Sequence, residues 1–486
     1  MRALTSTRRR SRPPGLTAAI LASITLTACA VGPTYAPPAA TTTIAWQAPL
    51  PHGGNLSELR NWWSRWNDPV LTGLIESAQS SNPTLDQAAA RIGQARAVRV
   101  IAGSSLLPGV NGSAAANRSN SGNNGSGMIA MSTASASLQA AWELDLFGAN
   151  RRAREAAEAR FTARTVDWHQ ARVSLAAEVA SAYVSLRVNE ALLAGYERDS
   201  ASRGETSRLT GLKTDAGFEA PANAALAKAS ASEANARLST QRGQVDLDIK
   251  ALVALTGLPE ATLRKTLGTG AVNLPSPAAF AVDPIPASVL AQRPDLAVAE
   301  RELAALSAEI GGAEADRYPR ISLTGSVGYS VARMAGISSE GATWGFGPSL
   351  TVPLFDAGRR SASVDLARAR YAESLAAYKA AAIRAVREVE EALTQLQTAQ
   401  NRSPDLNAAL AGYVAFEKAA QARLSVGAGS VLELEDARRA VLAAQVAVLA
   451  LERERANAWI SLYRAAGGGW DASQVNAQTQ VSENQQ

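Results

Sequence analysis

The sequence is poor in the residues that carry most enzyme chemistry. Its 486 residues include one cysteine and two histidines, His52 and His169, and aromatic residues make up only 5% of the chain. A single cysteine cannot form an internal disulfide. A zinc site with the usual histidine and cysteine ligands is not expected, nor is a Ser–His or Cys–His nucleophilic pair. The sequence also lacks a GxxxxGK[ST] phosphate loop. These absences disfavour an enzyme, a metal site and a bound cofactor, and they favour a structural or transport role.

The apolar stretch at the N-terminus is short. Residues 16–26 are too few to cross a bilayer as a helix, which needs about 20. They follow a cluster of arginines and lead into Leu26-Thr27-Ala28-Cys29, an arrangement typical of a bacterial export signal. Leu-Thr-Ala-Cys resembles the lipobox of bacterial lipoproteins, which implies cleavage before Cys29 and a covalent lipid on its thiol. Ala30 then resembles the pattern of outer-membrane lipoproteins. The alternative is an ordinary secretory signal with a chance cysteine.

Without the predicted signal peptide, the chain has no net charge. Five arginines and no acidic residue lie within residues 1–28, so their removal leaves 43 basic and 43 acidic residues. The basic pI therefore belongs to the signal. Nothing in the remaining chain indicates a nucleic-acid partner.

A long internal repeat is the strongest signal in the sequence. Asn82-Pro83-Thr84-Leu85 corresponds to Arg293-Pro294-Asp295-Leu296 at an offset of 211 residues. Three further landmark pairs follow in the same order, at offsets of 211, 208 and 210: 107–110 with 318–321, 146–152 with 354–360, and Lys213, Gly217 and Ala227 with Arg423, Gly427 and Ala437. The sequence therefore contains a tandem duplication of about 210 residues.

Each repeat contains a predicted strand hairpin. In repeat 2, apolar residues alternate with mostly polar ones from Ile321 to Val331 and again from Trp344 to Leu354, as in membrane-barrel strands. In repeat 1 the pattern is weaker, with short strands at 110–114 and 135–144 and a polar loop expected around 117–127. Trp142 and Trp344 are either interfacial girdle residues or core residues.

Four strands cannot close a barrel, because the smallest spanning barrels have eight. Open sheet edges are not viable in lipid. The pattern therefore predicts a barrel shared between protomers, with eight strands in a dimer or twelve in a trimer.

A very long helix follows each strand hairpin. No proline occurs between Phe147 and Gly217, and residues 356–426 have the same length, with a break or kink expected at Ser403-Pro404. Apolar residues recur at heptad spacing. They are Leu175, Val179, Ala182, Leu186 and Leu193 in repeat 1, and Val386, Val389, Leu393 and Leu396 in repeat 2.

These landmarks predict six segments. They are a signal peptide at 1–28, a lipidated N-terminal segment at 29–81, repeat 1 at 82–256 (strand hairpin about 107–145, helical hairpin 147–256), a connector at 257–292, repeat 2 at 293–465 (strand hairpin about 319–354, helical hairpin 356–465), and a flexible C-terminal tail at 466–486.

Several motifs resemble the outer-membrane factor family of tripartite efflux systems (the TolC/OprM superfamily), in particular its NodT-type lipoprotein branch. They are CAVGPTY at 29–35, WW at 62–63 with DPVL at 68–71, WELDLFG at 142–148, ASVLAQRPDL at 287–296, PLFDAGRR at 353–360 and AGGGW at 466–470. The resemblance implies a mainly helical protomer that forms a homotrimer, with a 12-strand barrel in the outer membrane and an α-helical tunnel in the periplasm. It also implies passive conduction of substrates from an inner-membrane efflux transporter through a periplasmic adaptor.

The family's functional residues map onto the two helical tips. Residues 423–439 resemble the family's Arg-Tyr-x-x-Gly tip, which is followed by Leu, Asp and Arg. The match implies a hydrophobic constriction at Leu432, a polar gate of Asp436 and Arg439, and adaptor docking at Gly217 and Gly427. Asp436 and Arg439 are alternatively a solvated i,i+3 helix pair.

The sequence departs from the family pattern at both tips. Leu424 replaces the family's tyrosine, so a gate hydrogen bond from a phenol cannot form. The stretch 212–222 differs from the usual first tip, with Pro221 close to Gly217.

Other functions remain open at the level of sequence. The same fold would serve as an exit channel for protein secretion or for metal-ion efflux, although no run of Met or His indicates a soft-metal path. A different class of function is a lipid-anchored periplasmic coiled-coil scaffold.

Overall fold

The computed structural model describes residues 30–38, 62–123, 126–268, 290–334 and 336–470. Most of them are helical, and four strands form one sheet, as the predicted fold class requires. Cys29 and most of the connector and tail lie outside the described residues. No helix among the described residues has both the length and the apolar composition needed to cross a membrane.

The two repeats have the same order of elements. A short 3-10 helix, Trp63–Trp66, precedes them. The helix α1 (Pro69–Ser81) also lies before repeat 1, which contains α2 (Pro83–Ser104), β1 (Gly109–Asn123), β2 (Ser126–Leu144), α3 (Ala149–Asp215) and α4 (Pro221–Thr256). The small helix α5 (Glu260–Leu267) lies within the predicted connector, and repeat 2 contains α6 (Pro294–Ala315), β3 (Arg320–Met334), β4 (Ile337–Thr351), α7 (Arg359–Ser425) and α8 (Val431–Ala465).

The strands of repeat 1 are longer than the sequence predicts. The polar segment expected as a loop around 117–127 is mostly strand, because β1 continues to Asn123 and β2 begins at Ser126. β1 pairs with β2 continuously from Gly109 to Ser121. Small polar residues have weak strand propensity, but cross-strand backbone hydrogen bonds supply what the side chains lack.

The long helices α3 and α7 have 67 residues each. The predicted seam residues of α3 are buried or packed against the core, as are those of α7. A break or a kink was predicted at Ser403-Pro404, and the break is wrong, since α7 continues through Pro404. Proline costs a helix one hydrogen bond and some crowding, and here its ring is exposed while the helix on both sides remains intact. The side-chain amide of Asn407 donates to the backbone carbonyl of Ser403 at 2.8 Å.

The sheet is antiparallel, with the order β1-β2-β3-β4. Its register places the predicted apolar residues on one face. One row joins Gly112, Leu138, Val327 and Trp344, and the row beside it joins Val110, Ala140, Gly325 and Phe346. Directly paired residues share a face, so a single apolar surface crosses all four strands. Trp344 is 83% exposed, which excludes core packing for it within the protomer.

The opposite face of the sheet is polar. One of its rows joins Asn111, Gln139, Ser326 and Gly345, and the next joins Ser113, Ser137, Gly328 and Thr343. The hydroxyls of Ser113 and Ser137 lie 2.9 Å apart. The sheet therefore has one apolar and one polar face, as the wall of a water-filled membrane barrel does.

The chain forms two compact units. The first contains the sheet and the segments Gly93–Thr162 and Glu300–Ala376, together with the N-terminal residues 30–38; the second contains the remaining helices, including both helical tips. The main hydrophobic core lies in the second unit. It surrounds Trp62, Tyr183 and Leu186, with Trp459 and Tyr463 from α8.

Polar anchors hold this core in register. Asp68 caps α1 by accepting from the amides of Val70 and Leu71, and its second oxygen accepts from the Tyr183 hydroxyl at 2.7 Å. Burial raises the pKa of Tyr183, and the hydrogen bond to Asp68 raises it further. The Arg293 guanidinium lies between Asp295 and Glu388 at 2.7 Å from each. Burial alone would lower the pKa of Arg293, but these carboxylates raise it.

Candidate functional site: the two helical tips

The first tip is the turn between α3 and α4. Gly217 has a φ of 78°, a left-handed conformation that glycine adopts without steric cost. The amide of Gly217 donates to the Thr214 carbonyl at 2.9 Å, and the amide of Phe218 donates to the Lys213 carbonyl at 2.8 Å. This pair of bonds is the Schellman arrangement that ends many helices. Pro221 then opens α4, in a position that needs no amide donor.

The second tip repeats this geometry 210 residues later. Gly427 has a φ of 76°, its amide donates to the Leu424 carbonyl at 3.1 Å, and the Ala428 amide donates to the Arg423 carbonyl at 2.8 Å. The matching bonds show that the two predicted tip glycines have the same backbone role. The tandem repeat therefore extends to single hydrogen bonds.

The two tips differ in the side-chain bonds around the turn. Ser430 caps α8 by accepting from the Glu433 amide at 3.1 Å, and Arg423 forms an ion pair with Glu433 across the turn at 2.7 Å. At the first tip, the N-cap residue Ala220 has no side-chain hydrogen bond to offer. The first tip has a side-chain bond of its own, from the Asn223 amide to the Glu219 carboxylate. The N-cap bond of Ser430 and the ion pair across the turn distinguish the second tip.

Both tips present apolar side chains to solvent. Phe218 is 85% exposed and Val426 is 78% exposed. Leu424, at the family's tyrosine position, instead packs against the small cluster of Ala420, Leu434 and Ala437. Leu424 therefore stabilises the tip from inside, whereas Phe218 and Val426 remain available for contact.

The predicted gate residues lie on one exposed face of α8. Leu432, Asp436 and Arg439 have the i, i+4, i+7 spacing that aligns side chains along a helix. The guanidinium of Arg439 lies 3.2 Å from the Asp436 carboxylate, and the two side chains are 46% and 59% exposed. Leu432 is 52% exposed. This geometry fits both a gate facing a lumen and a solvated helix pair.

The sequence analysis missed a buried charge network directly beside these residues. The Arg203 guanidinium on α3 pairs with the Glu435 carboxylate on α8, and the Ser230 hydroxyl on α4 also donates to Glu435. The other Glu435 oxygen accepts from Arg438 at 3.0 Å, and Arg438 also donates to the Thr206 hydroxyl at 2.8 Å. The network therefore links the hairpin α3/α4 to the hairpin α7/α8.

A sequence signal for this network existed. Glu435 and Arg438 interrupt the apolar stripe of α8 that includes Val431, Leu434 and Val441, so they fall on its buried face. A polar cavity of about 220 Å³, lined in part by Arg198, Asp199 and Arg438, adjoins the network. That volume holds several water molecules.

The predicted lipidation site, Cys29, lies outside the described residues. Residues shortly after it make close contacts with other parts of the chain. The Val31 amide donates to the Phe147 carbonyl at 3.2 Å, next to the start of α3. The Tyr35 hydroxyl donates to the Glu300 carboxylate at 2.7 Å. Gly32 crosses Gly311 so closely that a Cβ on Gly32 would lie 2.3 Å from the Gly311 Cα. These contacts begin two residues after Cys29, beside the end of β2.

No metal-binding group is evident in the described part of the chain. Its His, Cys, Asp and Glu side chains do not converge in any set of three or more.

Comparisons with known proteins agree with this arrangement. The sequence profile described as "outer membrane efflux protein" matches residues 74–258 and 285–468, two segments that begin 211 residues apart. Outer membrane protein OprJ of Pseudomonas aeruginosa is 32% identical over 461 residues, covering 93% of this chain and 95% of OprJ. Nodulation protein T of Rhizobium leguminosarum biovar trifolii is 31% identical, covering 92% of this chain and 96% of its own. The open-state outer membrane channel MtrE of Neisseria gonorrhoeae superposes with a TM-score of 0.76 at 27% identity, covering 91% of this chain and 98% of MtrE.

Proposed function

The chain belongs to the outer membrane efflux protein family, and we propose that it acts as the outer-membrane exit channel of a tripartite efflux pump. It passively conducts substrates from an inner-membrane efflux transporter and a periplasmic adaptor to the exterior. Three copies form the channel in this proposal, with twelve strands in the outer membrane and an α-helical tunnel in the periplasm.

The observation that carries the proposal is the four-stranded sheet. Its apolar face spans every strand, its other face is polar, and β1 and β4 each pair on one side only among the described residues. Strands of 15 to 19 residues exceed the 9–11 or so that span a bilayer. An apolar sheet with open edges is not viable in lipid until other copies complete it.

The two faces of the sheet have different roles in the proposed channel. The polar rows of Ser, Thr, Asn and Gln line the barrel interior, while Val327, Trp344 and Phe346 face lipid. The energy for transport comes from the transporter, so this chain requires no catalytic residue and no cofactor. A lipid on Cys29 adds an anchor beside the barrel.

The tips are the proposed contact with the adaptor. Gly217 and Gly427 turn the chain tightly, and the exposed Phe218 and Val426 offer an apolar contact surface. Leu432 narrows the tunnel in this proposal, and Asp436 with Arg439 forms the polar gate above it. The phenol that the family uses is replaced by the inward-packed Leu424, so closure depends on Leu432 and on ion pairs.

Three measurements test the proposal. The detergent-extracted protein should have the mass of a trimer by light scattering. Negative-stain images should show a hollow body longer than about 100 Å, since 67-residue helices rise 1.5 Å per residue. In planar bilayers it should conduct ions. A monomeric, non-conducting protein released without detergent once Cys29 is replaced by Ser would contradict the channel and favour a lipid-anchored scaffold.

A further inference from the structure

The second compact unit contains a cavity of about 440 Å³. This volume lies within the range of about 300–1,000 Å³ that small-molecule sites occupy. Side chains of α1 and α3 form two of its walls, and the end of α8 with the residues after it forms a third. None of the described residues assigned to the sheet, the tips or the gate lines it. The cavity is therefore a second candidate site, separate from the tips.

A run of three glycines shapes the third wall. Residues 467–469 have φ values of 85°, 62° and 79°, the left-handed region that glycine tolerates without steric cost. The Tyr463 hydroxyl donates to the Gly468 carbonyl at 3.0 Å. A Cβ on Gly468 would lie 2.5 Å from the Val173 Cγ2 atom, so only glycine lets the chain pass this close to α3. The turn brings Trp470 to the cavity.

Aromatic rings line one side of the cavity. Trp63 and Tyr463 meet edge to face, with their ring centroids 4.8 Å apart. Trp470 is only 7% exposed, and its indole N–H has no hydrogen-bond partner in the described part of the chain. Because a buried donor is normally satisfied, this N–H indicates that an acceptor occupies the cavity.

Four polar side chains line the same cavity without satisfying one another: Glu76, Gln79, His169 and Arg172. Among the described residues, none of the four has a hydrogen-bond or ion-pair partner. The Arg172 guanidinium instead lies over the Trp168 ring, 5.5 Å from its centroid. Glu76 and Arg172 thus carry opposite charges into one cavity and do not pair. Unpaired polar groups that converge beside aromatic rings are typical of a small-molecule site.

The charges of this cavity favour a neutral ligand. One carboxylate and one guanidinium cancel, and burial together with Arg172 lowers the pKa of His169 below its ordinary value of about 6.5. An anion would be repelled by Glu76, and a cation would be repelled by Arg172. A ligand that both donates and accepts hydrogen bonds suits the whole set, and a hydroxyl group does both.

We infer that this cavity binds a neutral saccharide, with one sugar ring against Trp63 and Tyr463 and its hydroxyls on Gln79 and the neighbouring polar side chains. A sugar ring has an apolar face of C–H groups and a rim of hydroxyls, which match the aromatic and polar sides of the cavity. The binding does not rest on the proposed channel. Only its location does: in the channel, the helical unit would hold the saccharide on the periplasmic side of the outer membrane.

Binding can be measured on the full-length protein extracted in a detergent without a sugar headgroup. Maltotriose and triacetylchitotriose are the probes, one a chain of plain hexoses and the other a chain of N-acetylated hexosamines. In isothermal titration calorimetry, at least one of them should bind with a dissociation constant of about 1 mM or tighter. A detergent with a maltose headgroup should compete with the probe that binds.

Variants locate the site. Gln79→Ala should weaken saccharide binding by about 5-fold, the loss of a typical hydrogen bond. The matched control is Gln87→Ala, an exposed glutamine on α2 that does not line the cavity, and its binding should equal that of the wild type. Trp63→Leu should weaken binding by about 2- to 10-fold, because the aromatic contact is lost. Circular dichroism checks that each variant is folded.

Three results would overturn the inference. They are no binding of either saccharide at millimolar concentration, which would leave a water-filled cavity; binding that Gln79→Ala leaves unchanged, which would place the saccharide elsewhere; and binding of benzoate or benzyltrimethylammonium in place of both saccharides, which would make the ligand charged. A conducting trimer that binds neither saccharide would retain the channel and reject this site.

Discussion

Arg203 and Glu435 form an ion pair across 232 residues of sequence, with side chains only 3% and 1% exposed. Arg203 belongs to the hairpin α3/α4 and Glu435 to the hairpin α7/α8. The Glu435 carboxylate also accepts hydrogen bonds from Ser230 and Arg438, so four side chains share one buried site. The pair stands directly beside the proposed gate and fixes how the two hairpins meet.

Glu435→Gln should strongly destabilise the helical region. It leaves the buried Arg203 guanidinium paired with Asp199, and that of Arg438 only with Glu417 at 3.9 Å. Breaking a buried pair costs about 3–5 kcal/mol. The apparent melting temperature by circular dichroism should fall markedly.

Two further variants serve as references for Glu435→Gln. Glu205→Gln breaks an exposed i,i+3 pair with Arg208 on α3 and should change stability by less than about 1 kcal/mol. Replacing Arg203, Glu435 and Arg438 together by Met, Leu and Met should recover part of the loss, because apolar side chains of similar volume need no counter-charge. Recovery is partial because Asp199, which is 11% exposed, loses its ion pair with Arg203. Equal melting temperatures for Glu435→Gln and wild type would show that the network does not hold the hairpins.

Asp436→Ala combined with Arg439→Ala should increase single-channel conductance in planar bilayers. The exposed pair closes the tunnel in the proposed gate, so its removal widens the narrowest polar ring. The matched control is Glu205→Ala with Arg208→Ala, another exposed i,i+3 pair. Unchanged conductance in the Asp436/Arg439 variant would assign these residues to an ordinary solvated helix pair.

Gly427→Ala should destabilise the second tip, although the space around Gly427 is open. The cost is conformational, because a φ of 76° disfavours a side chain by about 1–2 kcal/mol. Gly204→Ala is the control: it also has open space but lies inside α3 with an ordinary helical φ, so alanine should stabilise it by roughly 0.5–1 kcal/mol. Melting shifts of the same sign for the two variants would refute a strained-backbone role for Gly427.

Acidification should weaken the region around His169. Burial lowers the pKa of His169, and the nearby Arg172 lowers it further. The folded state therefore disfavours the protonated ring, so this contribution to stability is complete above the unfolded pKa of about 6.5 and is lost as the pH falls below it. The apparent melting temperature should decrease between pH 8 and pH 5, and His169→Gln should reduce that decrease. An equal decrease in the variant would exclude His169 as its source.

Much of the candidate site was predictable from local patterns. The tip glycines at 217 and 427 could be found because a tight turn needs a positive φ, and the repeat supplied both. Leu432, Asp436 and Arg439 were assigned from the family resemblance, and helical spacing adds that they share one face. The apolar rows that contain Val327 and Phe346 follow from alternation, since a strand exposes every second side chain to the same side.

Other residues could not be placed in this way. Glu435 and Asp436 are adjacent acidic residues, and only the packing of α8 against α3 and α4 makes one a buried ion-pair partner and the other an exposed residue. In the sequence, Leu424 occupies the position at which the family has a tyrosine. In the fold, it completes an apolar cluster with Leu434. The strand character of residues 117–123 depends on pairing with β2 rather than on their own propensity.

The sequence by itself determined the tandem repeat, the strand pair of each repeat and the two long helical hairpins, because each of these is encoded in composition or in a regular pattern along the chain. The export signal with Cys29 stays a prediction, since both lie outside the described residues. Only the tertiary structure decided the strand register, the continuity of α7 through Pro404 and the burial of Arg203 with Glu435. Those features depend on which surfaces meet across hundreds of residues, and the free energy of burying a side chain is set by its neighbours in space, not by its neighbours in the chain.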